Sequence, residues 1–137
     1  MSESIVNTWL ANIVKTASEG DHPAHMDLIS KTINLVGVPG FESIGFDYWS
    51  SQCQHDFKDN KIAEIQYHGL KIRAATDERI MFITRETVNA SDGTKNQQGI
   101  ECLLEKEVDG QWRLTQQRVL DEDEAASYLP QTLATIL

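Results

Sequence analysis

The sequence has 137 residues, of which 40% are hydrophobic and 24% are charged, a composition typical of ordinary globular proteins. Its net charge of −9 and the absence of clustered Lys and Arg make nucleic acids and anionic membrane surfaces poor partners. No apolar run reaches about 18 residues, the length of a membrane span, and we see no secretory signal, so we expect a cytoplasmic protein.

Helical periodicity marks the start of the chain. Apolar residues at steps of three and four predict a first helix that begins after Ser2 or Ser4 and ends at Gly20. Asp21 is placed to cap a short second helix, with Pro23 in its first turn. The segment 33–36 is rich in β-formers, and the glycines and proline of 37–40 stop it, which predicts a short strand and a turn.

From Ser43 the helical spacing returns and predicts a third helix that ends near Asp59. The period then changes to two, and short turns make an antiparallel meander the expected arrangement. The tail has helical character that Pro130 interrupts, so we expect a helix or arm over 121–137. The predicted strands span 62–73, 79–90, 96–108 and 112–120.

This order of elements resembles the nuclear transport factor 2-like superfamily, which includes SnoaL-like polyketide cyclases and ketosteroid isomerases. The segment 40–44, Gly-Phe-Glu-Ser-Ile, is similar to the Gly-x-Glu-x-Ile start of the third helix in many members. The resemblance implies one α+β domain over 1–137, a cone-shaped α+β barrel with three N-terminal helices packed on a curved antiparallel β-sheet. It also implies a pocket between the helices and the concave sheet face, and a homodimer formed through the outer face.

One position departs from the catalytic members of that superfamily. Their turn before the third helix often carries an acidic residue, commonly as Asp-Pro, whereas this chain has Val38 and Pro39. Because valine cannot act as a general base, the resemblance does not bring a proton-transferring carboxylate to this chain.

Two aromatic residues of the third helix are candidates for a pocket wall. Trp49 lies on the apolar stripe of the helix, and Tyr48 is about a third of a turn away, where it could border a cavity. Ordinary core packing is the alternative, and it is the more common role of a residue on such a stripe. We predict that Tyr48 and Trp49 contact a ligand.

His68 is the candidate general base. It precedes Gly69 inside a strand, and glycine in a strand often marks a bulge that redirects nearby side chains. A histidine turned into a pocket could donate or accept a proton near neutral pH. An exposed or structural histidine remains the alternative.

Polar residues in the last strand are the remaining candidates. By alternation Gln116 and Arg118 share a face with Leu114, so polar groups continue an apolar row and need partners. Arg118 could bind a ligand carboxylate or stabilise developing negative charge, or it could pair with Glu86 or Glu101. Both interpretations stay open.

Metal and cofactor chemistry have little support. His22 and His25 could place two imidazoles on one helix face, but no third ligand follows at a recognisable spacing. Cys53 and Cys102 lack Cys-x-x-Cys spacing and are expected to be small buried side chains. Phosphate-binding, nicotinamide-binding and serine hydrolase motifs do not occur, so we predict no metal and no cofactor.

Three functions therefore remain open. The first is a binding module that holds a small, largely apolar molecule, with polar contacts from Tyr48, His68, Gln116 and Arg118. The second is a cofactor-free lyase, isomerase or hydrolase in the same pocket, with His68, Tyr48 and Arg118 as catalytic residues. The third is an interaction subunit that uses its outer sheet face and C-terminal arm.

Overall fold

A computed structural model describes residues 1–58 and 62–129. Over these residues, four helices and five strands follow one another in the order expected from the sequence, and the predicted Pro130 break lies outside them. The elements are α1 Ser2–Glu19, α2 His22–Met26, β1 Ile29–Val36, α3 Phe46–Lys58, β2 Ile62–Ala75, β3 Arg79–Ala90, β4 Lys95–Lys106, β5 Trp112–Leu120 and α4 Glu122–Tyr128.

The five strands form one sheet in the order β1-β5-β4-β3-β2. The last four strands pair as an antiparallel meander, as predicted, and β1 joins β5 in parallel. β1 begins at Ile29, four residues before the predicted start, because Ile29 pairs with Leu114 of β5 and the Leu114 amide donates to the Leu28 carbonyl at 3.0 Å. The curved sheet is not closed, and the three N-terminal helices pack on its concave face, so the cone-shaped α+β fold is confirmed.

The N-terminal helices are held by the signals seen in the sequence. The apolar stripe of α1 is buried in the core, and Gly20 ends the helix in the left-handed conformation, with φ 65°. The Asp21 side chain accepts a hydrogen bond from the Ala24 amide and caps α2.

Bulges bend the long strands around these helices. In β2 the register shifts between His68 and Lys71, where Gly69 has φ 75° and its carbonyl accepts a hydrogen bond from Thr84 at 2.6 Å. In β5 the register shifts where Thr115 is the extra residue, opposite Leu103 and Leu104. Each bulge increases the local twist and reverses the facing of the side chains beyond it.

The short helix α4 covers part of the outer sheet face. Ala125 is fully buried with Ile83 and Leu120, directly over Gly99. Arg85 extends from β3 to the same helix and donates to both carboxylate oxygens of Glu122 at 3.1 Å. Within residues 1–58 and 62–129, no helix has both the length and the apolar character needed to cross a bilayer.

Candidate functional site

A cavity of about 350 Å³ lies between the N-terminal helices and the concave face of the sheet. Its size is at the small end of the range for small-molecule sites. Aromatic side chains form much of its wall, together with aliphatic ones. The aromatic residues are Trp9, Trp49, Phe57 and Tyr67, and the aliphatic ones include Ile13, Leu35, Ile65, Val88 and Leu114.

A carboxyl group faces this apolar space. Glu86 of β3 lies opposite Tyr67 of β2, and the Tyr67 hydroxyl donates a hydrogen bond to its Oε2 at 2.9 Å. Alternation along β3 brings Glu86 inward, since it shares the inner face with the fully buried Ile80 and Phe82. The Glu86–Tyr67 pair therefore places hydrogen-bonding groups in the largely apolar wall of the cavity.

Burial controls how these two groups titrate. It raises the pKa of the Glu86 carboxyl above its usual value, while hydrogen bonds from Tyr67 and Gln98 oppose the rise. Burial and the adjacent Glu86 carboxylate also raise the pKa of the Tyr67 phenol well above its ordinary value. Tyr67 therefore remains a hydrogen-bond donor at neutral pH, and Glu86 exchanges its proton at a higher pH than an exposed glutamate does.

His25 of α2 forms another part of the cavity wall and is uncharged at neutral pH. Burial, and next the nearby His22, lower the pKa of His25 to about 4. Its Nδ1 lies 2.8 Å from the Thr16 hydroxyl, which donates to the Asn12 carbonyl at 2.8 Å. Both contacts are satisfied when Nδ1–H donates to Thr16, a tautomer that leaves Nε2 without a proton. The second histidine of α2, His22, forms a hydrogen bond between its Nε2 and the Ser50 carbonyl at 2.9 Å.

Polar residues mark where the cavity opens to solvent. Gln52 of α3 and Asn96 of β4 both line it and are exposed, and Gln52 donates to Asp56 at 3.1 Å. Cys53 also lines the cavity, and burial raises the pKa of its thiol to about 11, so it is a thiol at neutral pH. The opening therefore lies between the second half of α3 and the start of β4.

A larger groove of about 640 Å³ lies at the surface, beside β1 and the β4–β5 turn. There Arg113 bonds to Asp27 at 3.0 Å and to Glu107 and Asp109, both at 2.9 Å. Lys31 and Lys106 also line the groove, so its three basic and three acidic residues balance, and it lacks the aromatic enclosure of the inner cavity. The inner cavity is the better candidate site.

Of the residues on α3 and β2 that the sequence predicted to contact a ligand, one lines the cavity and two do not. Trp49 lines the cavity, whereas Tyr48 is half exposed and packs on Phe41, with ring centroids 5.5 Å apart. One residue along a helix turns the side chain by about 100°, enough to move Tyr48 from the wall to the surface. His68 is exposed and lies opposite Arg85 on the outer face, so the bulge at Gly69 does not turn it inward.

The last strand reverses the predicted assignment of faces. The expectation that Gln116 and Arg118 continue the face of Leu114 is wrong, because the extra residue Thr115 shifts the alternation by one. Gln116 is exposed, and Arg118 donates to Glu124 of α4 at 2.7 Å and to Glu101 at 3.3 Å. The salt bridge to Glu101 was one of the two alternatives considered.

The bulge instead turns Gln117 inward, where it lines the cavity and accepts a contact from the Cys102 thiol at 3.7 Å. Glu86 and Tyr67 were also not nominated from the sequence. The available signal was the alternating row that places the carboxyl of Glu86 between the apolar residues Phe82 and Val88. A charged residue in such a row needs a partner inside the protein or a ligand.

No family model and no curated protein matches this sequence. Solved structures do match its fold. An NTF-2 like protein of unknown function from Shewanella oneidensis has 18% identity and a TM-score of 0.72, over 88% of this chain and 100% of that one. A proposed dehydratase of the NTF2-like family from Streptomyces avermitilis has 14% identity and a TM-score of 0.62, over 85% of this chain and 92% of that one.

A Catenulispora acidiphila protein, solved in complex with S-DNPA, has 16% identity and a TM-score of 0.66, over 91% of this chain and 96% of that one. At such identities the likeness shows a shared fold.

Proposed function

Because the chain has the fold of the nuclear transport factor 2-like superfamily, we propose that its inner cavity binds a small, largely apolar molecule. The observation that carries this proposal is a single arrangement, an aromatic-walled cavity with the Glu86–Tyr67 pair facing it. Burial of ligand surface against the aromatic wall supplies affinity, and the polar pair fixes orientation. The structural neighbour that holds S-DNPA supports the proposal at the level of the fold.

Fluorescence provides a direct test, since Trp9 and Trp49 line the cavity. N-phenyl-1-naphthylamine is neutral, small and bright only in apolar surroundings. We expect saturable binding of this probe, with energy transfer from tryptophan. Val88→Phe extends a ring into the cavity and is expected to weaken binding at least about tenfold, because the space is small.

Gln66→Phe is the matched control, because it adds the same ring at an exposed position of β2. Equal binding by wild type and Gln66→Phe, with loss in Val88→Phe, supports the proposal. Binding that survives in both variants, or no saturable binding by the wild type, contradicts it.

A second candidate function is a cofactor-free lyase, isomerase or hydrolase in the same cavity. The raised pKa of Glu86 favours it, since a carboxyl that exchanges its proton nearer to neutrality suits general acid–base chemistry. In this candidate Glu86 accepts the proton, and the Tyr67 hydroxyl, released from the protonated Glu86, donates to the developing negative charge. His68, the base expected from the sequence, lies on the other face of the sheet.

Deuterium exchange separates this candidate from simple binding. The probe is 2-tetralone, a small bicyclic ketone with acidic C–H bonds, followed by NMR in D₂O. A catalytic cavity exchanges these hydrogens faster with wild type than with Glu86→Gln. Equal rates for the two proteins contradict catalysis by Glu86 and leave the binding function in place.

We also propose a homodimer formed through the outer sheet face, within a single domain over 1–137, in the cytoplasm. The free thiols of Cys53 and Cys102 suit a reducing compartment.

A further inference from the structure

We propose that the ligand of the inner cavity carries a cationic amine, which binds against the Glu86 carboxylate and among the aromatic side chains of the wall. This inference rests on the proposed function and names the chemical class of the ligand.

The charges around the cavity have one sign. Glu86 and Asp56 contribute carboxyl groups, whereas none of the described residues that line the cavity is Lys or Arg. His25 adds no positive charge at neutral pH, because its pKa is lowered to about 4. An anionic ligand would therefore meet only like charge, and a cation would meet opposite charge at close range in a partly desolvated space.

Glu86 also lacks a positive partner within the part of the chain that the structure describes. The Tyr67 hydroxyl and the Gln98 side chain donate to it, and both donors are neutral. A carboxylate offers about four acceptor positions, so two remain for a ligand. The arginines nearby on the sheet are already paired, Arg85 with Glu122 and Arg118 with Glu124. An ammonium group would supply the counter-charge that the buried carboxylate otherwise lacks.

The aromatic wall favours the same class of ligand. Trp9, Trp49, Phe57 and Tyr67 all line the cavity. The negative faces of such rings attract organic cations, and the attraction grows when the cation is desolvated. One molecule with an apolar body and an ammonium group would use both the rings and Glu86.

The pH dependence of binding follows from this arrangement. In the empty cavity, burial favours the neutral form of Glu86 and so raises its pKa. A bound cation favours the carboxylate, so binding near this pKa releases a proton to solvent. The affinity for an ammonium ligand should therefore fall as the pH is lowered through the pKa of Glu86.

Three probes of similar shape test the proposal: 2-phenylethylammonium, neutral 2-phenylethanol and anionic phenylacetate. Each is titrated against the complex with N-phenyl-1-naphthylamine at pH 7.5, and displacement gives the affinity. We expect the ammonium to bind at least about tenfold more tightly than the alcohol, and the carboxylate to bind least. Glu86→Gln should abolish the preference for the ammonium over the alcohol, because it removes the carboxylate that faces the ammonium group.

Glu64→Gln is the matched control, since it removes the same charge at an exposed position of β2 and should preserve the preference. If N-phenyl-1-naphthylamine binds and Val88→Phe abolishes its binding, but the alcohol binds as tightly as the ammonium, the amine class is wrong and the proposed function stands. If that fluorescent probe does not bind at all, both are wrong. If Glu86→Gln does not fold, the affinities of the wild-type protein for the three probes, and their pH dependence, still test the amine class.

Discussion

His25 links the stability of the fold to pH at a single residue. The residue is 5% exposed, and its pKa is about 4 in the folded chain against 6.5 for an unperturbed histidine. Between these two values the unfolded chain binds a proton that the folded chain does not bind. Stability is therefore lost as the pH falls from about 6.5 towards 4.

We expect the free energy of unfolding, measured with urea, to decrease by roughly 2 kcal/mol between pH 7 and pH 5 because of this residue alone. His25→Asn keeps a donor near Thr16 but does not titrate, so it should show a smaller decrease over the same range. His68→Asn, which changes an exposed histidine, should follow the wild type. An unchanged pH dependence in His25→Asn would contradict the assignment.

The chemistry of the cavity was only partly predictable from individual residues. Trp49 could be placed inward, because a helical stripe of apolar residues points to the core whatever the details of the sheet. Glu86 stood in an alternating apolar row, but alternation alone does not say which face of a sheet lines a cavity. The pair of Tyr67 and Glu86, 19 residues apart in sequence, also depends on the register between β2 and β3, which side-chain periodicity does not contain.

At the scale of elements, the docking of α4 includes a close contact between two small residues. A Cβ atom added at Gly99 would lie 2.6 Å from the Cβ of Ala125. Gly99→Ala should therefore displace α4 from the sheet and lower the free energy of unfolding by about 1–3 kcal/mol.

The reciprocal exchange tests the contact. Ala125→Gly alone weakens the helix by about 1 kcal/mol, but it removes the atom with which the new methyl group collides. The double variant should be more stable than the sum of the two single changes predicts, with a coupling energy of about 1 kcal/mol in urea unfolding. Strict additivity of the two changes would contradict the contact.

The bounds of several strands could be predicted from the sequence, whereas the sheet face on which each β5 side chain lies could not. The predicted spans 79–90 and 112–120 coincide with β3 and β5, because turn residues and period-two patterns define strands locally. The bulge at Thr115 has no such local signature, since threonine is an ordinary strand residue. One uncounted residue was enough to place Gln116 and Arg118 on the wrong face.

At the scale of the whole molecule, the outer sheet face is built from alternating charges. Arg73 and Arg118 both bond to Glu101, and Arg79 bonds to Glu105 at 3.5 Å. A dimer that uses this face depends on that charge pattern.

We expect light scattering after size exclusion to give about twice the 15.4 kDa mass of the chain. Arg79→Glu replaces a positive charge of the outer face by a negative one beside Glu105 and should shift the protein towards the monomer, because it disturbs the charge pattern that the two faces would have to match. Lys15→Glu makes the same change on α1, away from the sheet, and should leave the mass unchanged. A monomeric wild type would show that the expected dimer is wrong.

The overall fold was more predictable than the site. The order of helices and strands was readable from periodicity, and it resembled a known arrangement although no family model matches the sequence. Many sequences satisfy one pattern of buried and exposed positions, so solved structures with 14% and 18% identity share the fold. The chemistry of a cavity depends instead on a few particular side chains, which the fold does not determine.

The parallel pairing of β1 with β5 has a consequence for how the chain folds during synthesis. β1 ends at Val36, and apart from a single bridge to Ile44 the strand that it pairs with among the described residues is β5, which is completed at Leu120. While the ribosome is still making the intervening strands, the hydrogen-bonding groups of β1 have no strand to join, and the helices have no full sheet to cover. Such a non-local closing contact is slow to form. We expect the nascent chain to stay open to proteases and chaperones until β5 has emerged, after which the whole cone assembles in one late step.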